Sequence, residues 1–166
     1  MNVDDLAGRM ASGVDRDVVV ARGEATLVVD RDDIVPTLAS LRGDPELSFD
    51  FLSCVTATDW PDQDPRFWVS YELLSTRHLH RARVKAGVPA SDPRIPSCTT
   101  VYAGANWHER EVFDFYGIGF DGHPDLTRIL LPDDWEGHPL RKTEGIGGVP
   151  TRYKGAFIPP VDERTS

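Results

Sequence analysis

The sequence predicts an α+β domain in which two main helices pack on a mostly antiparallel β-sheet, followed by an extended C-terminal tail. Three observations predict this class. Strand-like and helix-like runs follow one another in the order β, β, α, β, β, β, α. The connections are too short for the crossovers that parallel neighbours need. Apolar side chains alternate along the central runs, as in strands with one face in the core.

The first predicted elements are a hairpin and a short helix. Residues 18–21 and 25–29 are β-rich runs separated by Arg22-Gly23-Glu24, which indicates a tight turn. Ile34, Leu38 and Leu41 follow at helical spacing after three aspartates, and a glycine at position 43 is placed to end the helix. Residues 1–16 are predicted to be a loose N-terminal segment, so the domain begins at residue 17.

Three strands are predicted next. Residues 49–59 are rich in β-formers, and the prolines and aspartates of residues 60–65 indicate a loop. Residues 67–75 and 78–86 alternate in polarity, so we expect them to be antiparallel neighbours. The second of these runs places a basic stripe on one face, formed by Arg81, Arg83 and Lys85. Such a stripe is either a solvated, edge-protecting face or a contact for phosphates or an acidic partner.

The second helix is predicted over residues 97–116, with Ser97 as N-cap and Gly117 as the left-handed residue that ends it. Four side chains on it fall at i, i+3, i+4 and i+7: Trp107, Arg110, Glu111 and Asp114. This stripe predicts an ion pair between Arg110 and Asp114, one turn apart.

Bulk composition excludes several classes of function. A length of 166 residues fits one domain, and the net charge of −9 argues against a nucleic-acid binder. No apolar run approaches the roughly 20 residues that span a bilayer, and the N-terminus lacks the features of a signal peptide, so the cytoplasm is the expected compartment. Cys54 and Cys98 are too few to hold an iron–sulfur cluster, and buried structural thiols are expected.

A Gly-His-Pro tripeptide occurs twice, at residues 122–124 and 137–139, each time followed by an arginine. Glycine and proline make each unit a stiff turn that presents an imidazole. One hypothesis is a metal site formed by His123, His138 and an acid such as Asp125 or Glu136, although the spacing matches no established metal motif. The other is that the histidines hydrogen-bond at a packed interface.

The tail, residues 143–166, is rich in glycine and proline and has too few apolar residues for a core of its own. It is either disordered or laid out on another protein, and docking on a partner is the expectation.

Residues 109–131 and 136–142 together resemble the signature of the thirty-kilodalton subunit family of respiratory complex I, whose members are also called the C subunit. The resemblance covers residues 34–142. The sequence departs from the family pattern at Thr127, where a basic residue is frequent, and at residues 143–145, which replace an acidic-aromatic-proline continuation.

The resemblance implies a non-catalytic assembly subunit in the peripheral arm of NADH-quinone oxidoreductase. Members have no prosthetic group, and FMN and iron–sulfur clusters lie in other subunits. The implied partners are the quinone-site subunit and the subunit with the terminal iron–sulfur cluster, on the cytoplasmic face of the membrane. The chain would reach the membrane only through partners. No catalytic, cofactor-binding or metal residue is expected in this chain. The interface candidates are Glu109, Arg110, Glu111, Asp114, His123, Asp125, Arg128, Glu136, His138 and Arg141.

Three alternatives remain open. The first is the equivalent subunit of a related membrane-bound hydrogenase or of a dehydrogenase with another electron donor. The second is a stand-alone metal-dependent hydrolase that uses His123 and His138. The third is a phosphate-binding module built on the basic stripe.

Overall fold

The computed structural model describes residues 2–12 and 18–144, together with the backbone of two short strands beyond them. The helices are α1 (Val3–Ala11), α2 (Ile34–Gly43) and α3 (Ala105–Tyr116). The strands are β1 (Val18–Ala21), β2 (Glu24–Val29), β3 (Phe51–Asp59), β4 (Phe67–Leu74), β5 (Arg81–Val88), β6 (Arg94–Pro96), β7 (Gly119–Asp121), β8 (Arg152–Tyr153) and β9 (Ala156–Phe157). None of the helices in the described residues is long and apolar enough to span a membrane.

The main sheet has five strands in the order β1-β2-β5-β4-β3. All neighbours are antiparallel except β2 and β5, which pair in parallel. Helix α2 and strands β3 and β4 form the long connection that a parallel pair needs. A second small sheet joins β6 and β7 in parallel. The predicted α+β class with a mostly antiparallel sheet is confirmed, and so are the hairpin and the pairing of β4 with β5.

Local sequence explains the first hairpin. Arg22 and Gly23 both have positive φ, 54° and 79°, which is the backbone that a two-residue type I′ turn requires. The following helix is preceded by a single 3₁₀ turn, Arg31–Asp33. The last residue of α2 is Gly43, where the sequence predicted this helix to end.

The core lies on one face of the main sheet. Side chains that alternate along β2, β4 and β5 are almost fully buried there, and Leu27, Tyr71 and Val84 show the depth of this layer at 0% exposure. The alternate residues of the same strands face outward and, apart from the buried Ser70, are half-buried or exposed, as with Thr26, Glu72 and Arg83. The period of two read from the sequence therefore assigns the two faces correctly.

The N-terminal residues differ from the prediction. Residues 3–11 are helical rather than loose, and Leu6, Ala7 and Met10 are buried, the helix packing on β1 and β2. The Asn2 side chain accepts a hydrogen bond from the Asp5 amide, at 2.8 Å, and caps the helix. Such a short helix is marginal alone, so tertiary burial stabilises it. Residues 13–17 lie outside the described residues.

The second predicted helix begins later than expected. It starts at Ala105 with Gly104 as N-cap, so Ser97 is not its cap. Residues 97–104 form turns instead, in which the Cys98 carbonyl accepts the amides of Val101 and Tyr102. Ser97 is tied to the second sheet, since its amide donates to the Asp121 carbonyl at 2.8 Å. The predicted end at Gly117 is confirmed, with φ of 67°.

Two cations of the basic stripe contact neighbouring side chains, and one of them, Arg83, is neutralised by carboxylates. Arg83 forms ion pairs with Glu24, at 3.2 Å, and with Glu72, and the Lys85 ammonium lies 5.1 Å from the centre of the Trp68 ring. These contacts favour an ordinary solvated face over a phosphate site. The predicted tail lies outside the described residues except for Thr143, Glu144 and the backbone of β8 and β9, so its docking stays a prediction.

Candidate functional site: helix α3 and the loop that wraps it

Helix α3 packs along the edge strand β3, and the chain then turns back over it. We call residues 122–144 the α3 loop. Within the described residues the loop has no helix or strand, so its path depends on side-chain contacts with α3. Six of the ten residues that the sequence selected as interface candidates make these contacts: Arg110, Asp114, His123, Arg128, His138 and Arg141.

Asp114 is the centre of the arrangement and is completely buried. Its Oδ1 accepts from the Arg128 guanidinium at 2.7 Å. Its Oδ2 accepts from three consecutive amides, those of Ile129, Leu130 and Leu131, at 3.2, 2.9 and 3.0 Å. Burial opposes ionisation of this carboxyl, but the amide and guanidinium donors outweigh it and lower the pKa of Asp114. One carboxylate therefore fixes the conformation of residues 128–131.

The last carbonyls of α3, which have no partner within the helix, are bound by the far end of the α3 loop. The His138 Nδ1 donates to the Asp114 carbonyl at 3.0 Å, and the Leu140 amide to the Phe115 carbonyl at 3.2 Å. The Arg141 guanidinium donates to the carbonyls of Tyr116, at 2.6 Å, and Gly117, at 3.3 Å. A cation at a helix C-terminus also interacts favourably with the helix dipole. The α3 loop thus supplies the donors that bind the free carbonyls at the C-terminus of α3.

Arg110 does not pair with Asp114, contrary to the prediction. Its guanidinium donates to the Thr127 carbonyl, at 3.1 Å, to the Thr127 hydroxyl, at 3.0 Å, and to the Arg128 carbonyl, and it stacks on the Trp107 ring at 5.1 Å. Asp114 instead forms its ion pair with Arg128, a residue 14 positions away in sequence. Spacing within one helix identified the charged residues but could not identify a competitor from the loop.

Glu109 is the second carboxylate with no exposed surface. It accepts from the Ser97 hydroxyl and from the Cys98 amide, both at 2.7 Å. Burial raises the pKa of Glu109, because these neutral donors compensate only in part for its lost hydration. Burial likewise raises the pKa of the Cys98 thiol. Glu109 therefore joins the turn at residues 97–104 to α3.

His123 is held by backbone on both sides of its ring. The Asp125 amide donates to Nδ1 at 3.0 Å, which leaves Nε2 to donate to the Asn106 carbonyl, 3.2 Å away. His138 binds a different carbonyl, at the other end of α3. No group of three potential metal ligands is found in the part of the chain that the structure describes. The two Gly-His-Pro turns therefore act as separate supports for the loop.

A third buried carboxylate, Asp59, was not predicted from the sequence. Asp59 forms a bidentate pair with Arg66, at 2.6 and 2.8 Å, and accepts the Lys142 amide at 2.8 Å. The Arg66 pair, opposed by burial and assisted by that amide, lowers the pKa of Asp59. One signal was available: Asp59 has the same parity as Val55 and Ala57 on the core face of β3. A carboxylate at a core position predicts a buried partner.

The ten predicted interface residues separate into three groups. Glu109 and Asp114 are buried and have no surface to offer a partner. Five are half-buried with their polar atoms bound inside the chain: Arg110, His123, Arg128, His138 and Arg141. Three are exposed: Glu111, Asp125 and Glu136. For these eight residues, an interface role stays a prediction.

The part of the chain that matches known proteins includes α3 and the α3 loop. The family model described as respiratory-chain NADH dehydrogenase, 30 Kd subunit, matches residues 27–148. A protein of Nocardioides sp., named as the C subunit of NADH-quinone oxidoreductase, is 49% identical over 90% of this chain and 60% of its own length. The protein of the same name in Mycobacterium ulcerans is 46% identical over 97% of this chain and 72% of its own length. The chain thus spans about two thirds of the length of these relatives.

Two solved structures are similar in fold. A trypsin-resistant fragment of Nqo5 has a TM-score of 0.66 and 29% identity, covering 76% of this chain and 100% of the fragment. A chain of the membrane-bound sulfane sulfur reductase, an archaeal respiratory membrane complex, has a TM-score of 0.76 and 25% identity, covering 86% and 85% of the two chains. The fold therefore recurs in more than one respiratory complex.

Proposed function

Because the chain belongs to the 30 kDa subunit family of respiratory-chain NADH dehydrogenase, we propose that it is a structural and assembly subunit of the peripheral arm of NADH-quinone oxidoreductase. The complex would carry electrons from NADH through FMN and iron–sulfur clusters to quinone, coupled to proton translocation. This chain would hold the arm together at the cytoplasmic face of the membrane. It would contact the quinone-site subunit and the subunit with the terminal cluster.

The observation that carries the proposal is how the family residues use their polar groups. The carboxylate of Asp114 and the guanidinium groups of Arg110, Arg128 and Arg141 all bind groups of the chain itself. A catalytic residue must leave a reacting atom accessible to substrate, and these bonds occupy those atoms. The arrangement builds a fixed surface, and presenting such a surface to other subunits is what an assembly subunit requires.

The role in assembly predicts the effect of variants that loosen the α3 loop. We expect Arg110→Ala and His138→Ala to lower the amount of assembled complex, since each removes a bond that fixes the loop. The exposed Arg77→Ala, an arginine outside the α3 loop, is the matched control. The measurement is a native gel stained for NADH-dye activity, with circular dichroism of the purified chains to verify folding. Normal assembly in both loop variants would contradict the proposed role.

The partners can be tested directly. The tagged full chain is purified from its native membrane in mild detergent, and the proteins that copurify are identified. The quinone-site and terminal-cluster subunits are expected among them. Recovery of the tagged chain alone would argue against a subunit role altogether.

A second candidate is the equivalent subunit of a complex that takes electrons from another donor. It is favoured by the likeness to a chain of the membrane-bound sulfane sulfur reductase. The two candidates share the segment that carries the family match, so the electron donor decides between them. NADH oxidation by the copurified complex supports the first candidate, and a complex that is inactive with NADH but reduced by another donor supports the second.

A further inference from the structure

Between Trp107 and Lys142, most positively charged side chains bind groups of the chain itself, and most carboxylates are exposed to solvent. This stretch has eight carboxylate side chains and four lysine or arginine side chains. Arg110, Arg128 and Arg141 are half-buried and turned onto carbonyls or a carboxylate of the chain. Lys142 is the one exposed cation of the stretch. Most of the positive side chains therefore hold the loop in place, while most of the carboxylates face solvent.

Five of the exposed carboxylates in the stretch have no hydrogen bond or ion pair within the described residues: Glu111, Asp125, Asp133, Asp134 and Glu136. A sixth exposed acid, Asp121, pairs with Arg94. Glu111 lies on α3 itself, and contacts place two of the others near opposite ends of the helix. Asp125 follows His123, which binds the Asn106 carbonyl near the start of the helix. Glu136 precedes Gly137, whose carbonyl accepts from Arg128 near the end of the helix.

Two large apolar side chains are exposed in the same stretch. Trp107 is 63% exposed and Leu130 59% exposed. The two lie along the same side of α3, because Arg110 joins the Trp107 ring to Thr127 and the Leu130 amide is bound by Asp114, two helical turns after Trp107. Two turns of helix correspond to a strip roughly 10 Å long. Exposed apolar strips within a polar rim are typical of interaction sites.

We propose that this face, the Trp107–Leu130 strip with its five free carboxylates, docks on a basic surface of a neighbouring subunit that has an apolar recess for the two side chains. This rests on the proposed function and adds to it the chemistry of the partner. Charge complementarity decides the occupant, since each free carboxylate needs an opposite charge once water is excluded. A second copy would bring five more carboxylates, and an anionic lipid surface would also repel the face.

The test uses the tagged full chain in its complex, held on affinity resin in mild detergent and washed with rising NaCl. One variant is Asp133→Lys with Asp134→Lys, and the matched control is Asp62→Lys with Asp64→Lys, exposed acids outside this face that give the same change of charge. The third variant is Trp107→Ala. Circular dichroism of each purified chain verifies folding.

The salt concentration that elutes half of the partner subunits is the readout. We expect it to fall by about half or more for Asp133→Lys with Asp134→Lys and to stay close to wild type for the control, because rim charges attract a basic partner and salt screens them. Trp107→Ala is expected to speed dissociation at every salt concentration roughly tenfold or more, as for a buried aromatic at an interface.

Two results would overturn the inference while leaving the proposed function intact. One is that half of the partner subunits elute at the same salt concentration from Asp133→Lys with Asp134→Lys as from the control. The other is a homodimer of the wild-type chain that Trp107→Ala abolishes. If no subunits are retained even by the wild-type chain at low salt, the proposed function itself fails, and the docking inference fails with it.

Discussion

The sharpest prediction concerns Asp114→Asn, which keeps the size of the side chain and removes its charge. One carboxylate binds Arg128 and three backbone amides. An asparagine has one oxygen, so its amide group must face either the guanidinium or the three amides, donor against donor. Removing one partner of a buried ion pair costs about 3–5 kcal/mol. We expect a loss of that size in the free energy of holding residues 128–131 on α3.

Hydrogen exchange measures this loss where it occurs. In the wild-type chain the amides of Ile129, Leu130 and Leu131 should be protected, since each donates to Asp114. In Asp114→Asn they should exchange about a hundredfold or more faster, because every 1.4 kcal/mol changes an equilibrium tenfold. Amides of the central strand β4 provide the internal reference.

The exposed Glu111→Gln is the control, with an expected effect within about 0.5 kcal/mol. Two results would refute the reasoning. Exchange of the three amides unchanged in Asp114→Asn would mean that the carboxylate does not fix the loop. Equal acceleration of the β4 amides would mean that the loss is global and that the loop has no local stability of its own.

Three further predictions concern stability. Asp59 and Asp114 have folded-state pKa values below the ordinary 3.8, so the stability they contribute is present above about pH 4 and is lost as the pH falls through those pKa values. Glu109 has a folded-state pKa above the ordinary 4.5, so urea unfolding should show stability rising as the pH falls through that pKa, and Glu109→Gln should abolish this rise. Gly117→Ala should destabilise the chain more than Gly122→Ala, as measured by the denaturant midpoint. Both glycines have positive φ, which costs about 1–2 kcal/mol for alanine, but only at Gly117 would the new methyl overlap His138 and lie 2.8 Å from Arg141; equal losses would contradict the capping role of these side chains.

Several features of the fold were predictable because they are encoded locally. Alternation of apolar residues assigned the core face of β4 and β5, and Arg22-Gly23 set the first hairpin. Gly117 ends α3 because a left-handed residue is cheapest as glycine. The start of α3 was not predictable in this way. Residues 97–104 are compatible with a helix, and the choice of turns depends on Glu109, which binds Ser97 and Cys98.

Helix α1 shows a second kind of limit. Its residues are polar enough to be read as a loose segment, and its stability comes from Leu6 and Met10 entering the core against β1 and β2. A short helix has too few hydrogen bonds to offset its nucleation cost. Whether it forms depends on a surface that does not exist until the sheet has formed.

The sequence by itself determined the family, the class of fold and the residues that matter in the Trp107–Lys142 stretch. Only the tertiary structure decided the role of each residue: Arg128, not Arg110, neutralises Asp114, and Arg141 caps α3. The physical reason is competition. A carboxylate in the core binds the donors that best compensate for its lost hydration. The α3 loop supplies three backbone amides and a guanidinium, which compensate better than one arginine on the same helix.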